Sequence, residues 1–295
     1  MKIAVTGASG FVGRHFVSMY GDKYEIAALT RDASRINVRP SFDVWETDYS
    51  VDSLTEILGD CDAVVHLAYA LATKANEEAG DAAYAPSERM TENLLAAARS
   101  CGITNVVFTS SRLVYPAYKE TPFTEHDETA PINCYGRSKV RMEDLCCRYN
   151  AEYGMHIKCL RLGQVVGDDM HAKTLFSVFF NNAKQGLPLR LIGSNVRDYI
   201  YIKDVCRGID CALSSPECGG IFNISMGTGT DNKAMADGII RALASSSTVE
   251  IDAASQGGKA DRIVLDCSKA REALGFECAF DTIEKITGDI IDGYE

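Results

Sequence analysis

The sequence predicts an α/β fold: a Rossmann-type doubly wound parallel sheet with a smaller mixed α/β C-terminal substrate domain. Three observations predict it. A short β-prone run, Lys2-Ile3-Ala4-Val5, leads into the glycine turn Thr6-Gly7-Ala8-Ser9-Gly10-Phe11-Val12-Gly13 and then into a helix-forming stretch, Arg14 to Tyr20. Strand and helix signals alternate through the first half, the pattern of a parallel sheet covered on both faces. Downstream of a serine-bearing strand end, Tyr135 and Lys139 share one face of a long helix-prone segment.

The glycine turn gives each glycine a task. Gly7 allows a tight turn, Gly10 lets the backbone approach a diphosphate, and Gly13 lets the helix pack on the strand. The free N–H groups and positive dipole end of that helix suit an anion. The strand–turn–helix context favours a dinucleotide site over an ordinary glycine-rich turn.

At 295 residues and 46% hydrophobic, the chain can bury one large core or two coupled domains. The division expected is a dinucleotide-binding domain over 1–165, to which the chain returns at about 198–225, and a smaller substrate-binding domain from 166–197 and 226–295. A net charge of −11 argues against nucleic acid as a partner and fits a cytoplasmic protein. No apolar run is long enough to span a membrane, so no membrane partner is expected, and no leader is expected ahead of the first strand. Eleven cysteines show no framework spacing and no Cys-x-x-Cys pair, and read as reduced thiols. Five scattered histidines give no ligand spacing, so no metal is expected.

The second strand, Glu25 to Thr30, ends at Thr30-Arg31, with Ser34 and Arg35 close behind. An acidic residue at this strand end suits the ribose hydroxyls of NAD, whereas an arginine suits a 2′-phosphate. Thr30, Arg31 and Arg35 therefore point to NADP, with NAD possible; a solvated surface arginine is the alternative. Phe42 to Thr47 reads as a third strand ending at Asp48-Tyr49. Asp48 could accept from an adenine amino group or cap the helix beginning near Val51. Ala63 to Leu67 is a buried strand, and the small residues of Ala68-Tyr69-Ala70 let the chain run close to a cofactor. His66 reads as a core or strand-end histidine.

Pro86 to Ser100 is an amphipathic helix with Leu94, Leu95 and Ala98 on its apolar side. Asn105 to Phe108 is a strand leading into Thr109-Ser110-Ser111-Arg112. Tyr135 to Tyr153 is a helix, and His156 to Leu160 a strand ending at Arg161-Leu162-Gly163-Gln164. Beyond Gly167 the alternation loosens. Helices are expected over 173–185, 205–213, 231–244, 268–274 and 280–291, and strands over 199–202, 220–224 and 263–265, with Asp204 as a cap for the helix at Val205.

The chemistry lies in Tyr135-Gly136-Arg137-Ser138-Lys139. A free phenol titrates near pH ~10 and is a poor base at neutrality. An ammonium beside it and a cationic nicotinamide ring above it both favour the phenolate. Lys139 can also hold the nicotinamide ribose hydroxyls, and Ser111 can hydrogen-bond the reacting oxygen. Tyr135 then moves the proton while the cofactor moves the hydride.

Thr6-Gly-x-x-Gly-x-x-Gly13, Asp48, Thr109-Ser110-Ser111…Val114-Tyr115 and Tyr135-x-x-x-Lys139 together resemble the extended short-chain dehydrogenase/reductase family. More narrowly, they resemble its NAD(P)-dependent sugar-nucleotide epimerase/dehydratase group. The stretches from Val196 to Val205 and from Leu265 to Gly275 are similar to that group's later motifs, so the resemblance covers nearly the whole chain. It implies a catalytic triad of Ser111, Tyr135 and Lys139. It implies a cofactor lining from Phe11, Val12, Arg31, Asp48, Tyr49, Leu67, Ala68, Tyr69 and Leu162, with Ser87 where many members carry Asn. Arg112, Gln164 and Arg197 fall on the substrate side, Arg197 on the diphosphate unless it pairs with Asp198 at the surface. A nucleotide-sugar substrate and a homodimer through the helices at 86–100 and 135–153 are implied as well.

Members that dehydrate the sugar carry an Asp-Glu pair just after the catalytic Ser or Thr. Arg112 and Leu113 stand there in this chain, so no acid is available to expel a hydroxyl and a 4,6-dehydratase is not expected. Gln164 replaces an expected Asn, and Pro116 the usual glycine after Tyr115. The reaction expected is reduction of a nucleotide-linked 4-keto sugar by NADPH. The alternative is 4-epimerisation with NAD. A protein that binds NADP without chemistry, or a reductase of a non-nucleotide carbonyl, completes the range.

Overall fold

The computed structural model describes residues 1–35, 42–70, 72–168, 174–193, 195–251 and 261–293. The first half alternates as the pattern predicts: β1 (Lys2–Thr6), α1 (Phe11–Tyr20), β2 (Glu25–Thr30), β3 (Asp43–Glu46), α2 (Val51–Leu58), β4 (Ala63–His66), α3 (Lys74–Ala79), α4 (Ala85–Ser100), β5 (Asn105–Ser111), α5 (Cys134–Tyr153) and β6 (His156–Leu162). The second half holds β7 (Gln164–Val166), α6 (Leu175–Lys184), β8 (Leu189–Leu191), β9 (Val196–Tyr201), α7 (Ile202–Leu213), β10 (Gly220–Ile224), β11 (Gly229–Asp231), α8 (Asn232–Ala242), β12 (Val249–Ile251), β13 (Arg262–Ile263), α9 (Ser268–Leu274) and α10 (Ile283–Asp292).

Seven strands form one sheet in the order β10-β6-β5-β4-β1-β2-β3, and each neighbouring pair runs parallel. From β1 the chain winds outward to β3, then crosses to β4 on the other side of β1. The crevice at such a switch point, outside the carboxyl ends of the strands, is where α/β sheets bind ligands. β9 gathers β7, β11 and β13 into a second, smaller sheet, and β8 pairs β12.

The alternation of side chains along each strand sorts the core into two layers. Ile3, Val5, Ile26 and Val65 face α1 and α7, with Phe16 and Val205 among the residues packed on them. Ala4, Ala27, Val64 and Val106 face the opposite way, against Leu54 of α2, Leu94 and Leu95 of α4, and Leu145 of α5. The helices begin where short polar side chains satisfy their free N–H groups. Ser50 accepts from Ser53 N ahead of α2, and Asn133 accepts from Gly136 N at 2.7 Å ahead of α5. Gly154, at φ 65°, ends α5 in the left-handed conformation that glycine adopts without strain.

A buried polar network pins the carboxyl half of this sheet. Arg161 of β6 donates through Nε and Nη2 to Glu143 of α5, and through Nη1 to the Tyr115 hydroxyl at 2.8 Å. Ser110 of β5 donates to Glu143, and Tyr115 donates to Asn223 of β10 at 2.9 Å. The side chains of Arg161 and Glu143 are 3% and 2% exposed, so the ion pair is effectively dry.

Asp204 does not cap α7, which starts two residues earlier, at Ile202. Its buried carboxylate accepts instead from Arg207 and from the N–H groups of Ala279 and Phe280, fastening the segment ahead of α10. The helix expected over 173–185 is described only from its N-cap Thr174; Lys173 lies outside the described residues.

Candidate active site

The glycine turn is built as its sequence requires. Gly7 sits at φ +70°, and a Cβ there would lie 2.7 Å from Ala68 N. A Cβ on Gly13 would lie 2.2 Å from the Gly7 carbonyl oxygen, and Gly10 N donates to that same oxygen at 2.9 Å. Gly10 is the N-cap of α1, with no capping side chain and no acidic residue in the first turn. The first-turn N–H groups of α1, those of Phe11 and Val12 among them, thereby have no capping side chain, an arrangement that suits an anion.

A groove of ≈ 330 Å³ opens beside this turn. Gly7, Thr30 and Arg31 line one side; Tyr49, Ala68, Tyr69 and Ser87 line the rest. Ala70, expected close to a cofactor, lines it too, as do Ser9, Asp32, Pro86 and Met90, which sequence reasoning did not select as site residues. Ser87 accepts from Ala70 N at 3.0 Å and so fixes the turn that the groove follows. Asp48 lies with Arg31 and Tyr49 in an adjoining hollow of ≈ 370 Å³. Its carboxylate accepts from Ser50 N at 2.8 Å, whereas Ser50 is the cap of α2; the capping role suggested for Asp48 belongs to Ser50. Arg31 is exposed, and among the described residues no carboxylate lies within 4.0 Å of its guanidinium. The adjacent Asp32 carboxylate is engaged by Ser34 N and Ser34 Oγ. The side chain of Arg35 lies outside the described residues.

Beneath the turn, His66 is a core residue, as expected. Thr6 Oγ1 lies 2.7 Å from His66 Nδ1, and His66 Nε2 lies 2.9 Å from Thr91 Oγ1. Thr91 donates onward to Ser87 O, and Thr6 Oγ1 also accepts from Leu67 N and Ala68 N, so the network assigns Nε2–H as the donor. Burial pushes the imidazole down to about 3, which keeps it neutral.

Ser111, Tyr135 and Lys139 converge just beyond the groove, with Tyr69 as the link. The Tyr69 ring stands edge-on to Tyr135, centroids 6.4 Å apart, and Lys139 Nζ lies 3.6 Å from the Tyr69 ring centre. Ser111 is the last residue of β5 and pairs in register with Leu162 of β6, which places Leu162 at the same rim. Ser111 is near enough to the Tyr135 phenol to lower its pKa, and Ser111 Oγ accepts from Leu113 N at 3.2 Å. Lys139 is 2% exposed, donates to Thr109 O at 2.8 Å, and lies 5.6 Å from the Tyr135 ring centre.

The electrostatics differ from the expectation. Burial pushes Tyr135 up to about 12, and only the neighbouring Ser111 hydroxyl acts in the other direction. Burial also pushes Lys139 down to about 7. The protein's own groups therefore do not acidify the phenol. Between pH 7 and the ordinary lysine value of about 10.5, the unfolded chain holds the Lys139 proton and the folded chain does not, so this group makes stability rise with pH. Melting curves of wild type and Lys139→Met, without added dinucleotide, test this: wild type should gain on the variant between about pH 7 and 9.5. A constant difference would refute the burial effect.

Glu77 of α3 is a positioning residue that the sequence did not disclose. Its carboxylate accepts from Cys134 N at 2.8 Å, from Tyr135 N at 3.0 Å and from the Tyr84 hydroxyl at 2.7 Å. It thus caps the helix that carries Tyr135 from another segment, and a polar six-residue helix gives no pattern from which this is legible.

On the substrate side, Arg112 and Gln164 meet: Arg112 Nη2 donates to Gln164 Oε1 at 2.9 Å. Arg197 is close enough to lower the Arg112 pKa, and its charge also acts on Tyr199 two residues along β9. The surface pair with Asp198 is not formed. Asp198 is buried, and its carboxylate accepts from Gly227 N and Leu265 N.

The model of the NAD-dependent epimerase/dehydratase family matches residues 3–225. The chain belongs to this family. Relatives along nearly its whole length include the UDP-glucose 4-epimerase of Streptococcus mutans, 27% identical over 97% of this chain and 94% of that protein. The dTDP-glucose 4,6-dehydratase of Streptomyces antibioticus is 25% identical over 98% and 91%. Among solved structures, the UDP-glucose 4-epimerase of Thermus thermophilus in complex with NAD superposes with a TM-score of 0.82, at 25% identity and full coverage of both chains. In this family member, among the described residues, no helix is long and apolar enough to cross a membrane.

Proposed function

We propose that this family member transfers a hydride and a proton at C4 of a nucleotide-linked sugar, acting as an NADP-dependent reductase of a 4-keto sugar. The convergence of Ser111, Tyr135 and Lys139 just beyond the groove, next to Tyr69 of its lining, carries the reading. The residues present fit a nicotinamide dinucleotide, since Gly7 and Gly13 leave space that a Cβ would fill and the first turn of α1 offers uncapped N–H groups. When bound, it supplies the hydride and, in its oxidised form, the positive charge that lowers the phenol pKa. Tyr135 exchanges its proton with the sugar oxygen, and Ser111, beside the phenol, orients that oxygen. Lys139 holds the ribose side of the site. Residues 166–197 and 226–295 close over the sugar in this reading, and a second copy of the chain pairs along α4 and α5, which light scattering would read as a dimer. Arg112 and Leu113 leave no acid beside Ser111 to expel a hydroxyl, which argues against dehydration.

Arg31 supports NADP, because a groove-lining cation without a carboxylate partner among the described residues suits a 2′-phosphate. NADPH is expected to bind about tenfold more tightly than NADH, the worth of a charge-assisted contact, with Arg31→Ala removing the difference in fluorescence titrations. A second reading is 4-epimerisation with retained NAD. The similarity to UDP-glucose 4-epimerases, one of them solved with NAD, favours it. NAD found by mass spectrometry in the purified protein, with no preference for NADPH, would decide for the epimerase.

A further inference from the structure

The corner beside Ser111 holds a buried positive charge that has no carboxylate within ion-pair distance among the described residues. Arg112 follows Ser111 directly and is 8% exposed. Its one hydrogen bond among the described residues goes to a neutral amide, Gln164 Oε1. Asp198 and Asp261 act on it only from a distance, and Arg197 opposes it. Arg161 makes the contrast plain: also buried, it donates to both carboxylate oxygens of Glu143. A guanidinium removed from water is costly unless it is paired, so a lone one points to a partner that arrives with a ligand.

Two anionic groups are available on a nucleoside-diphosphate sugar: the diphosphate itself, and a carboxylate, present on some. Arg197, on β9, is the more exposed arginine and stands on the diphosphate in the reading above. Arg112 is instead the immediate neighbour of Ser111, the residue at the reacting sugar oxygen, and Gln164 holds its planar fork in one orientation. A planar fork matches a carboxylate through two parallel hydrogen bonds.

We propose that Arg112, oriented by Gln164, binds a carboxylate carried by the sugar ring, so that the substrate class is an acidic nucleotide sugar of the uronic-acid type. This rests on the nucleotide-sugar reading of the site and narrows it. Gln164 acts as a positioning residue, and Arg112 as the specificity determinant.

Calorimetric titration of the dinucleotide-saturated protein with UDP, UDP-glucose and UDP-glucuronic acid tests the proposal. Wild type should bind UDP-glucuronic acid about tenfold more tightly than UDP-glucose. Arg112→Met should bring the two sugars to equal affinity and leave UDP unchanged, while Arg112→Lys, which keeps the charge, should retain part of the preference and report on folding at the same position. Equal affinity of wild type for both sugars overturns the proposal. So does an equal loss of UDP and both sugars in Arg112→Met, which would put Arg112 on the diphosphate. Failure of the protein to bind UDP or TDP in any form would instead overturn the nucleotide-sugar reading itself.

Discussion

Tyr135→Phe should lower turnover by about 10²- to 10⁴-fold, the range of a positioned general acid–base group, and leave dinucleotide affinity and melting temperature unchanged. The substitution removes one oxygen. The ring contacts with Tyr69 and Tyr84 persist, and the Cα of residue 135 stays where Glu77 holds its N–H. The groove is lined by other residues, so binding has no reason to fail. The loss should also depend on pH. With the phenol pushed up to about 12 by burial, wild-type turnover in the oxidising direction should rise with pH as the phenolate becomes accessible. The variant should show a flat profile over the same range. A variant that keeps more than a tenth of the rate would mean that Tyr135 is not the proton carrier.

The second large effect concerns stability. Glu143→Ala should cost about 3–5 kcal/mol, the penalty for leaving a buried charge unpaired. For a chain of 295 residues this is roughly 5–8 °C in the melting midpoint. Arg161, Ser110 and Tyr115 all converge on this carboxylate or on its partner, so its removal strands several groups at once. Replacing both partners by Met should recover most of the loss, because the desolvation cost disappears together with the attraction. A single substitution that costs less than ~1 kcal/mol would show that water reaches the pair. The network lies one residue from Ser111 and four from Lys139, so partial loss of rate at temperatures well below the midpoint is expected for Glu143→Ala.

The sheet was legible because its information is local. Apolar runs such as Ala63-Val64-Val65 and glycine turns at fixed offsets specify strand, turn and helix one after another. Tyr135 and Lys139 were legible because a four-residue spacing on a helix fixes which face they share. The three-residue strands β7, β8, β11 and β12 were not, since a run that short shows no period. Asp204 and Glu77 were missed for another reason: each caps or fastens a segment dozens of residues away, at Phe280 and Tyr135. The sign of the electrostatics at Tyr135 was also hidden. Residue types suggest an ammonium acidifying a phenol, but depth of burial decides the outcome, and burial is a property of the assembled fold.

The stretch from Lys74 to Ala83 belongs to two neighbourhoods. Ala82 and Ala83 border the hollows around Arg31 and Tyr49, while Glu77, a few residues earlier, grips the amides that begin the phenol's helix. A molecule resting against that wall is expected to steady the reacting end from a distance. Truncating the adenosine portion of the coenzyme should therefore slow the chemical step as well as weaken retention, because the energy of contacts far from the nicotinamide is spent on alignment.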